Sequence, residues 1–162
     1  MDPSKLRIGL GYDLHALEPG RPLVIAGVVV PFDRGPRAHS DGDVVFHAVL
    51  DACLSGAGLD DLGILFPDRD PRWRGASGAT LAREVCAQLR QSRFRILDID
   101  AVILLEQPRI APLRGAMRQN LAAALEIDAE QVRLKGKSGE GLDAVGRGEA
   151  IACHAVALMI GA

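Results

Sequence analysis

The sequence predicts a mixed α/β fold of the α+β type, folded as a single domain over residues 1–162. Three observations lead there. Apolar residues alternate from Leu97 through Ile99, Ala101 and Ile103 to Leu105, the period of a strand. Leu81, Val85, Cys86 and Leu89 recur at helical spacing, as do Leu113, Met117, Leu121 and Leu125. Segments of the two kinds are interleaved along 162 residues, a length at which one core buries about two thirds of the surface of the unfolded chain.

In chain order, Leu6 to Gly11 reads as a first strand leading into YDLH. Pro22 to Pro31, built on the apolar run LVIAGVVV, reads as a second, with EPGR between them as turn material. A helix is expected from about Asp43 to Gly56, capped by Asp41 or Asp43 after a turn at Gly42. The segment GLDDLGILFPDRDPRWRGASG has no sustained period and reads as a long loop. After the helix around Leu81–Leu89 and the strand to Leu105, Pro112 suits the first turn of the next helix. A strand VRLKGKS precedes the glycine-rich GEGLDAVGRGEA. The closing run IACHAVALMI has a length that suits either helix or strand, and its flanking glycines favour a buried strand. No internal repeat is present.

Composition narrows the function classes. With 48% hydrophobic residues, 25% charged residues and a net charge of -2, the chain lacks the excess positive charge that a nucleic-acid backbone attracts, so no nucleic-acid partner is expected. Cys53, Cys86 and Cys153 are odd in number and set in apolar surroundings. They read as buried reduced thiols, not as a disulfide or CxxC metal site, which favours the cytoplasm. No apolar run approaches the ~20 residues of a membrane span, so no membrane is expected, and MDPSKLRIGLG passes into a strand pattern without signal or transit character.

Residues 38–56, AHSDGDVVFHAVLDACLSG, place two histidines and three aspartates where a helix start needs one cap. From Asp43, the residues His47 and Asp51 follow at i+4 and i+8 and share its helix face. Asp13 and His15, two apart in an extended segment, point the same way. With His47 they make an Asp/His/His set that leaves the fourth tetrahedral position of zinc open, the pattern of a catalytic site. The plain alternative is a histidine at a strand end and another hydrogen-bonded at the core edge. Asp51 is either an acceptor for the His47 imidazole, a partner of a substrate hydroxyl or a solvated carboxylate.

Other segments have two readings each. FPDRDP is a proline-pinned turn or a lid that brings Asp68 and Asp70 to a ligand. EQPRIAP joins a strand to a helix or holds its backbone rigid enough to read a base. Glu140 is a loop carboxylate or a ligand for a magnesium or manganese ion that also holds a diphosphate. Two glycine patterns fail as fingerprints: the GxGxxG begun by Gly9 and Gly11 ends on Leu14, and Gly136-Lys137-Ser138 has Gln131 where a P-loop needs glycine. What remains is a loop whose N–H groups, with Lys137, Ser138 and Arg147, suit a phosphate, or a plain flexible connection.

In order and spacing, IGLGYDLHAL, AHSDGDVVFHAVLDACLSGAGLDDLGILFPDRDPRWRG, QPRIAP and KSGEGLDAVGRGEAIACHAVAL resemble the 2-C-methyl-D-erythritol 2,4-cyclodiphosphate synthases of the non-mevalonate route to isoprenoids, over nearly the whole chain. The resemblance implies a phosphorus–oxygen lyase. Its substrate would be 4-diphosphocytidyl-2-C-methyl-D-erythritol 2-phosphate, whose 2-phosphate attacks the β-phosphorus and expels CMP. It also implies a mixed sheet with helices packed on one face, the sheets of a homotrimer meeting around a three-fold axis with active sites between subunits.

By the same resemblance Asp13, His15 and His47 are zinc ligands and Glu140 binds a second divalent cation, Mg2+ or Mn2+. His39 and Ser138 stabilise the transition state, while Asp13, His15, His39 and Ser40 face the substrate. Asp61, Leu62, Gly63, Phe66, Pro67, Asp68, Arg69 and Asp70 hold the methylerythritol phosphate. Leu105, Glu106, Gln107, Pro108, Arg109, Ile110 and Ala111, with Lys137, Ser138, Gly139 and Glu140, form the cytidine and diphosphate pocket. Arg147 counts among the substrate-binding residues, and it is also the position through which the family's central cavity is described as binding an isoprenoid diphosphate. The sequence departs from the family pattern at Arg109, where lysine is expected, at Lys137-Ser138-Gly139, where a threonine-rich run is common, and at Asp143-Ala144, where glycine and phenylalanine are usual. The same residues also serve two other readings: a metal-dependent nucleotide phosphohydrolase, or a non-catalytic trimer that binds metal and CDP-type metabolites.

Overall fold

The computed structural model of the protein describes residues 2–67 and 69–162. In chain order its elements are β1 (Leu6–Pro19), β2 (Leu23–Ile25), β3 (Val28–Val30), β4 (Arg34–Pro36), α1 (Val44–Ala57), the short α2 (Leu62–Leu65), α3 (Gly78–Gln91), β5 (Phe94–Leu104), α4 (Arg114–Leu125), β6 (Val132–Lys137), the one-turn α5 (Asp143–Gly146) and β7 (Ala150–Gly161). Five strands form one mixed sheet in the order β4-β1-β7-β5-β6, and β2 and β3 stand apart as a hairpin. Only β5 and β6 run parallel within the sheet, and their connection is α4.

The alternation of β1 decides which residues meet the helices. Gly9, Gly11, Asp13, His15 and Leu17 share one face, and Ile8, Leu10, Tyr12 and Leu14 share the other. Helix α1 lies directly on the first face. A Cβ on Gly9 would stand 1.8 Å from the Ala52 carbonyl oxygen and one on Gly11 1.9 Å from that of Ala48, so the two glycines let helix backbone touch strand backbone. Two strand residues advance about 6.8 Å and four helix residues about 6.0 Å. The next step along β1 therefore brings Asp13 to the first turn of α1, where His47 projects.

Almost all of α1 is buried, with Phe46, Leu50 and Leu54 against the sheet and its neighbours, each worth about 1.5–3 kcal/mol of burial. Gly58, at φ 70°, closes the helix by donating to the Leu54 and Ser55 carbonyls. The inner side chains of β7, from Ile151 to Met159, complete this core. All three cysteines are buried and unpaired.

Several expectations need correction. The first strand does not end at Gly11 but runs to Pro19, because β7 pairs with it from Leu6 through Ala16. The apolar run 22–31 is not one strand. Ala26 and Gly27 take positive φ values of 48° and 72° and fold it into a hairpin turn. Leu97 is not part of the inward stripe of β5, because an irregularity between Ile96 and Asp98 makes Ile96 the buried residue. The long loop after α1 carries α2 and a 3-10 turn at Pro71–Trp73. Helices are also not confined to one face: α5 lies on the outer face, where Val145 packs with Ala150 and Ala152 of β7. Among the described residues, no helix is long and apolar enough to cross a membrane.

Candidate active site

Asp13 and His15 from β1 and His47 from α1 converge at one end of the sheet. Asp13 Oδ2 lies 2.9 Å from His47 Nδ1 and 3.1 Å from His15 Nε2, and the two ring nitrogens are 3.4 Å apart. Zinc bonds of about 2.0–2.1 Å require ligand atoms about 3.3 Å from one another in a tetrahedron. The three atoms form such a face, and two imidazole nitrogens aimed at the same carboxylate oxygen suit a cation shared between them. Among the described residues this is the one group of three able to hold a metal ion. Burial by itself would raise the Asp13 carboxyl, but the hydrogen bonds and charges of His15 and His47 outweigh it and hold the group far below the usual carboxylate range.

His47 Nε2 faces the Ser40 hydroxyl at 3.3 Å. The chain Asp13–His47–Ser40 thus has the connectivity of a nucleophilic triad. His15 argues against that use, since its Nε2 crowds the nitrogen that such a triad would keep for aspartate alone. Asp43, expected on the face of His47, is instead fully buried: Oδ1 accepts from Ala26, Val45 and Phe46 N–H and Oδ2 from Gly27 N–H. It caps α1 and clamps the strained hairpin turn together. Burial pushes its carboxyl up to about 6, against the pull of the Gly27 and Ala26 N–H groups. Asp51 lines the site, but its hydrogen bond comes from Leu62 N–H at 2.9 Å, so it positions α2 and does not orient His47.

The triad opens into a pocket of about 340 Å³ whose walls include His39, Ser40, Leu62, Gly63 and Phe66. The loop of His39 is tied to the segment after the 3-10 turn by Gly75 N–H to the His39 carbonyl, Asp41 N–H to the Ala76 carbonyl, and Gly78 N–H to the Asp41 carboxylate. Phe66 and Trp73 meet edge to face at 4.8 Å. Asp61 is outside the pocket and caps α2 through Ile64 N–H. Asp70 is likewise not brought to the pocket, because its carboxylate accepts the Arg72 N–H and guanidinium. Pro67 and Arg69 do not line it, and Asp68 lies outside the described residues.

A second pocket, of about 820 Å³, lies between the ends of β5 and β6. It collects Leu105, Glu106, Gln107, Pro108, Arg109, Ile110 and Ala111 with Lys137, Ser138 and Glu140. Gly139 N–H donates to Glu106 and ties the two segments together, while Ser138 donates to Glu140. The two pockets share no lining residue. Arg147 lines neither and is paired with Glu149. Asp143 sits at φ 52°, a backbone conformation that favours glycine, and its carboxylate makes the position tenable by accepting the Val145 and Gly146 N–H groups.

Sequence reasoning missed Arg37, Trp73 and Arg74 in the first pocket and Arg114 in the second. The available signal was a cation beside each motif: Arg37 precedes AHSDGD, Arg74 closes the FPDRDP segment and Arg114 follows QPRIAP.

Comparison with known proteins places the chain in a family. The model of the YgbB family matches residues 6–160. A 2-C-methyl-D-erythritol 2,4-cyclodiphosphate synthase of Desulfosudis oleivorans is 50% identical over 155 residues, spanning 96% of this chain and 92% of its own. A solved structure of a synthase of that name superposes with a TM-score of 0.87 at 39% identity, covering 94% of this chain and 99% of the other. The CDP complex of the Plasmodium falciparum protein IspF does so with a TM-score of 0.85 at 29% identity, covering 99% of each. With the family model matching nearly the whole chain and a relative 50% identical over almost its full length, the chain belongs to the YgbB family, that of the 2-C-methyl-D-erythritol 2,4-cyclodiphosphate synthases.

Proposed function

We propose that the chain converts 4-diphosphocytidyl-2-C-methyl-D-erythritol 2-phosphate to 2-C-methyl-D-erythritol 2,4-cyclodiphosphate and CMP, as a phosphorus–oxygen lyase. The observation that carries this reading is the triad of Asp13, His15 and His47 open to one pocket, in a chain with a second pocket lined by Arg109, Arg114 and Lys137. The substrate brings its own nucleophile: a 2-phosphate oxygen bonds to the β-phosphorus as the bond from that phosphorus to the bridging oxygen breaks, and CMP leaves with the electron pair. Position and positive charge are what the protein must supply.

His39 and Ser40 face the phosphates from the rim of the first pocket, and Ser138 faces them from the second. Asp13, His15 and His47 would hold zinc, which would supply Lewis-acid polarisation of a phosphate oxygen. Glu140 would hold Mg2+ or Mn2+, and one carboxylate suffices because such an ion draws its remaining ligands from phosphate and water. Arg109 and Lys137 neutralise the diphosphate, and the backbone of Leu105–Ala111 receives the cytidine.

A homotrimer with sites between subunits is supported by the outer face of the sheet, where Ile8, Leu10, Tyr12, Leu14 and Val156 are all exposed. The unpaired buried thiols support a cytoplasmic setting. Incubating the purified protein with the synthetic substrate tests the reaction. CMP together with the cyclic diphosphate is expected; CMP with an acyclic phosphate would make the protein a phosphohydrolase, and binding of CDP without turnover a non-catalytic trimer.

A further inference from the structure

We infer that Arg37 and Arg74 bind the monoester 2-phosphate of the substrate and hold it for attack; the inference rests on the reaction proposed above. Both arginines line the pocket of the metal triad, and each is placed by a backbone hydrogen bond beside a residue of the site. Arg37 N–H donates to the carbonyl of Ala16, next to His15. Arg74 precedes Gly75, whose N–H donates to the His39 carbonyl.

Neighbouring arginines have other duties. Arg72 is held by Asp70 and lies over the Trp73 ring, and Arg21 reaches Glu18 and the Pro36 carbonyl. By contrast, Arg74 has no side-chain partner among the described residues, and Arg37 has only a 3.4 Å contact with Glu18 while 68% exposed. Two guanidinium groups at a pocket rim, held by nothing strong, are available to an anion.

Charge in the pocket points to which anion. Asp13 and Asp51 offset most of the charge that a divalent metal brings, while the diphosphate has Arg109 and Lys137 in the other pocket. The monoester phosphate is a dianion at neutral pH. Arginine presents a planar fork that binds such a group through two parallel N–H donors, which fixes its orientation as well as its position.

The test compares ligands with and without that phosphate on Arg37→Ala, Arg74→Ala and the corresponding lysine variants. KM for the full substrate should rise at least tenfold in the alanine variants and recover in part with lysine. Calorimetric affinity for the analogue lacking the 2-phosphate, and zinc content, should stay at wild-type values. Equal weakening for both ligands, or an unchanged KM, would overturn the inference. If the wild type releases no CMP, the proposed reaction fails instead. The calorimetric comparison of the two ligands still decides whether these arginines read the phosphate: a difference that vanishes in the alanine variants sustains it, and one that persists overturns it.

Discussion

Asp13 Oδ2 stands 2.9 Å from His47 Nδ1, joining a strand to a helix across 34 residues of sequence. That contact is the core of the site. If it belongs to a zinc set, His47→Ala should lower zinc from one per chain to none and abolish CMP release, while Ser40→Ala should keep stoichiometric zinc. Metal analysis of the purified variants decides it. Zinc retained in His47→Ala would place the ion elsewhere.

Without metal the same contact is an ion pair, with a defined pH signature. Burial alone lowers the His47 pKa, but the Asp13 hydrogen bond and charge overcome it and hold it above 6.5. A raised histidine contributes stability that is fully present below 6.5 and is lost as pH rises through the folded value. Asp13, depressed from 3.8, contributes stability present above that value and lost only in strong acid. Zinc binding requires both imidazoles neutral. As pH rises from below 6.5 through the folded value, the melting temperature of metal-free wild type should therefore fall relative to metal-free His47→Ala. The stabilisation conferred by zinc should grow over the same range. Parallel curves for the two metal-free proteins would show that the pair contributes nothing.

The glycines of β1 connect fold to site. Gly11→Ala would drive a Cβ into the Ala48 carbonyl, which is helix backbone and cannot rotate away. We expect a loss of about 3 kcal/mol in denaturant unfolding, and zinc binding weakened in the folded fraction because α1 must lift His47 from Asp13. A variant of wild-type stability would mean that the helix has room to move.

These glycines also show what was legible in the sequence and what was not. Gly9 and Gly11 are visible as a motif, but their reason is the close approach of α1, a long-range contact with no local signal. Asp13, His15 and His47 could be read because strand and helix periods put ligand chemistry on facing sides. Asp43 misled because its helical spacing matches that of His47, whereas as the cap it precedes the helix and turns into the core. Ala26 hid a turn within an apolar run, since alanine at positive φ has no sequence mark and relies on Asp43 from 17 residues away. Asp70 and Arg72 neutralise each other locally, whereas Arg74 of the same loop lines the pocket.

Asp43 offers the sharpest test of that clamp. Asn has the same shape, but one of its two terminal groups is a donor, so it must face either Gly27 N–H or the N–H groups of Ala26, Val45 and Phe46. We expect Asp43→Asn to cost about 2 kcal/mol in urea unfolding, the scale of a buried donor left unsatisfied. An unchanged midpoint would show that the carboxylate is dispensable at the cap.

The two pockets raise the question of how one substrate reaches both, since within a chain they have no lining residue in common. In a three-fold ring the first pocket of each subunit would meet the second pocket of its neighbour. His47→Ala disables the former and Glu140→Ala the latter. In a mixed trimer of either composition, only one of the three junctions joins an intact first pocket to an intact second pocket. With random exchange at equal concentrations, three quarters of trimers are mixed, so activity should return to about a quarter of wild type from two inactive proteins. Recovery near that value supports shared sites. No recovery after exchange confirmed by mass spectrometry would place each site within one chain, and a monomer by light scattering would remove the ring on which the expectation rests.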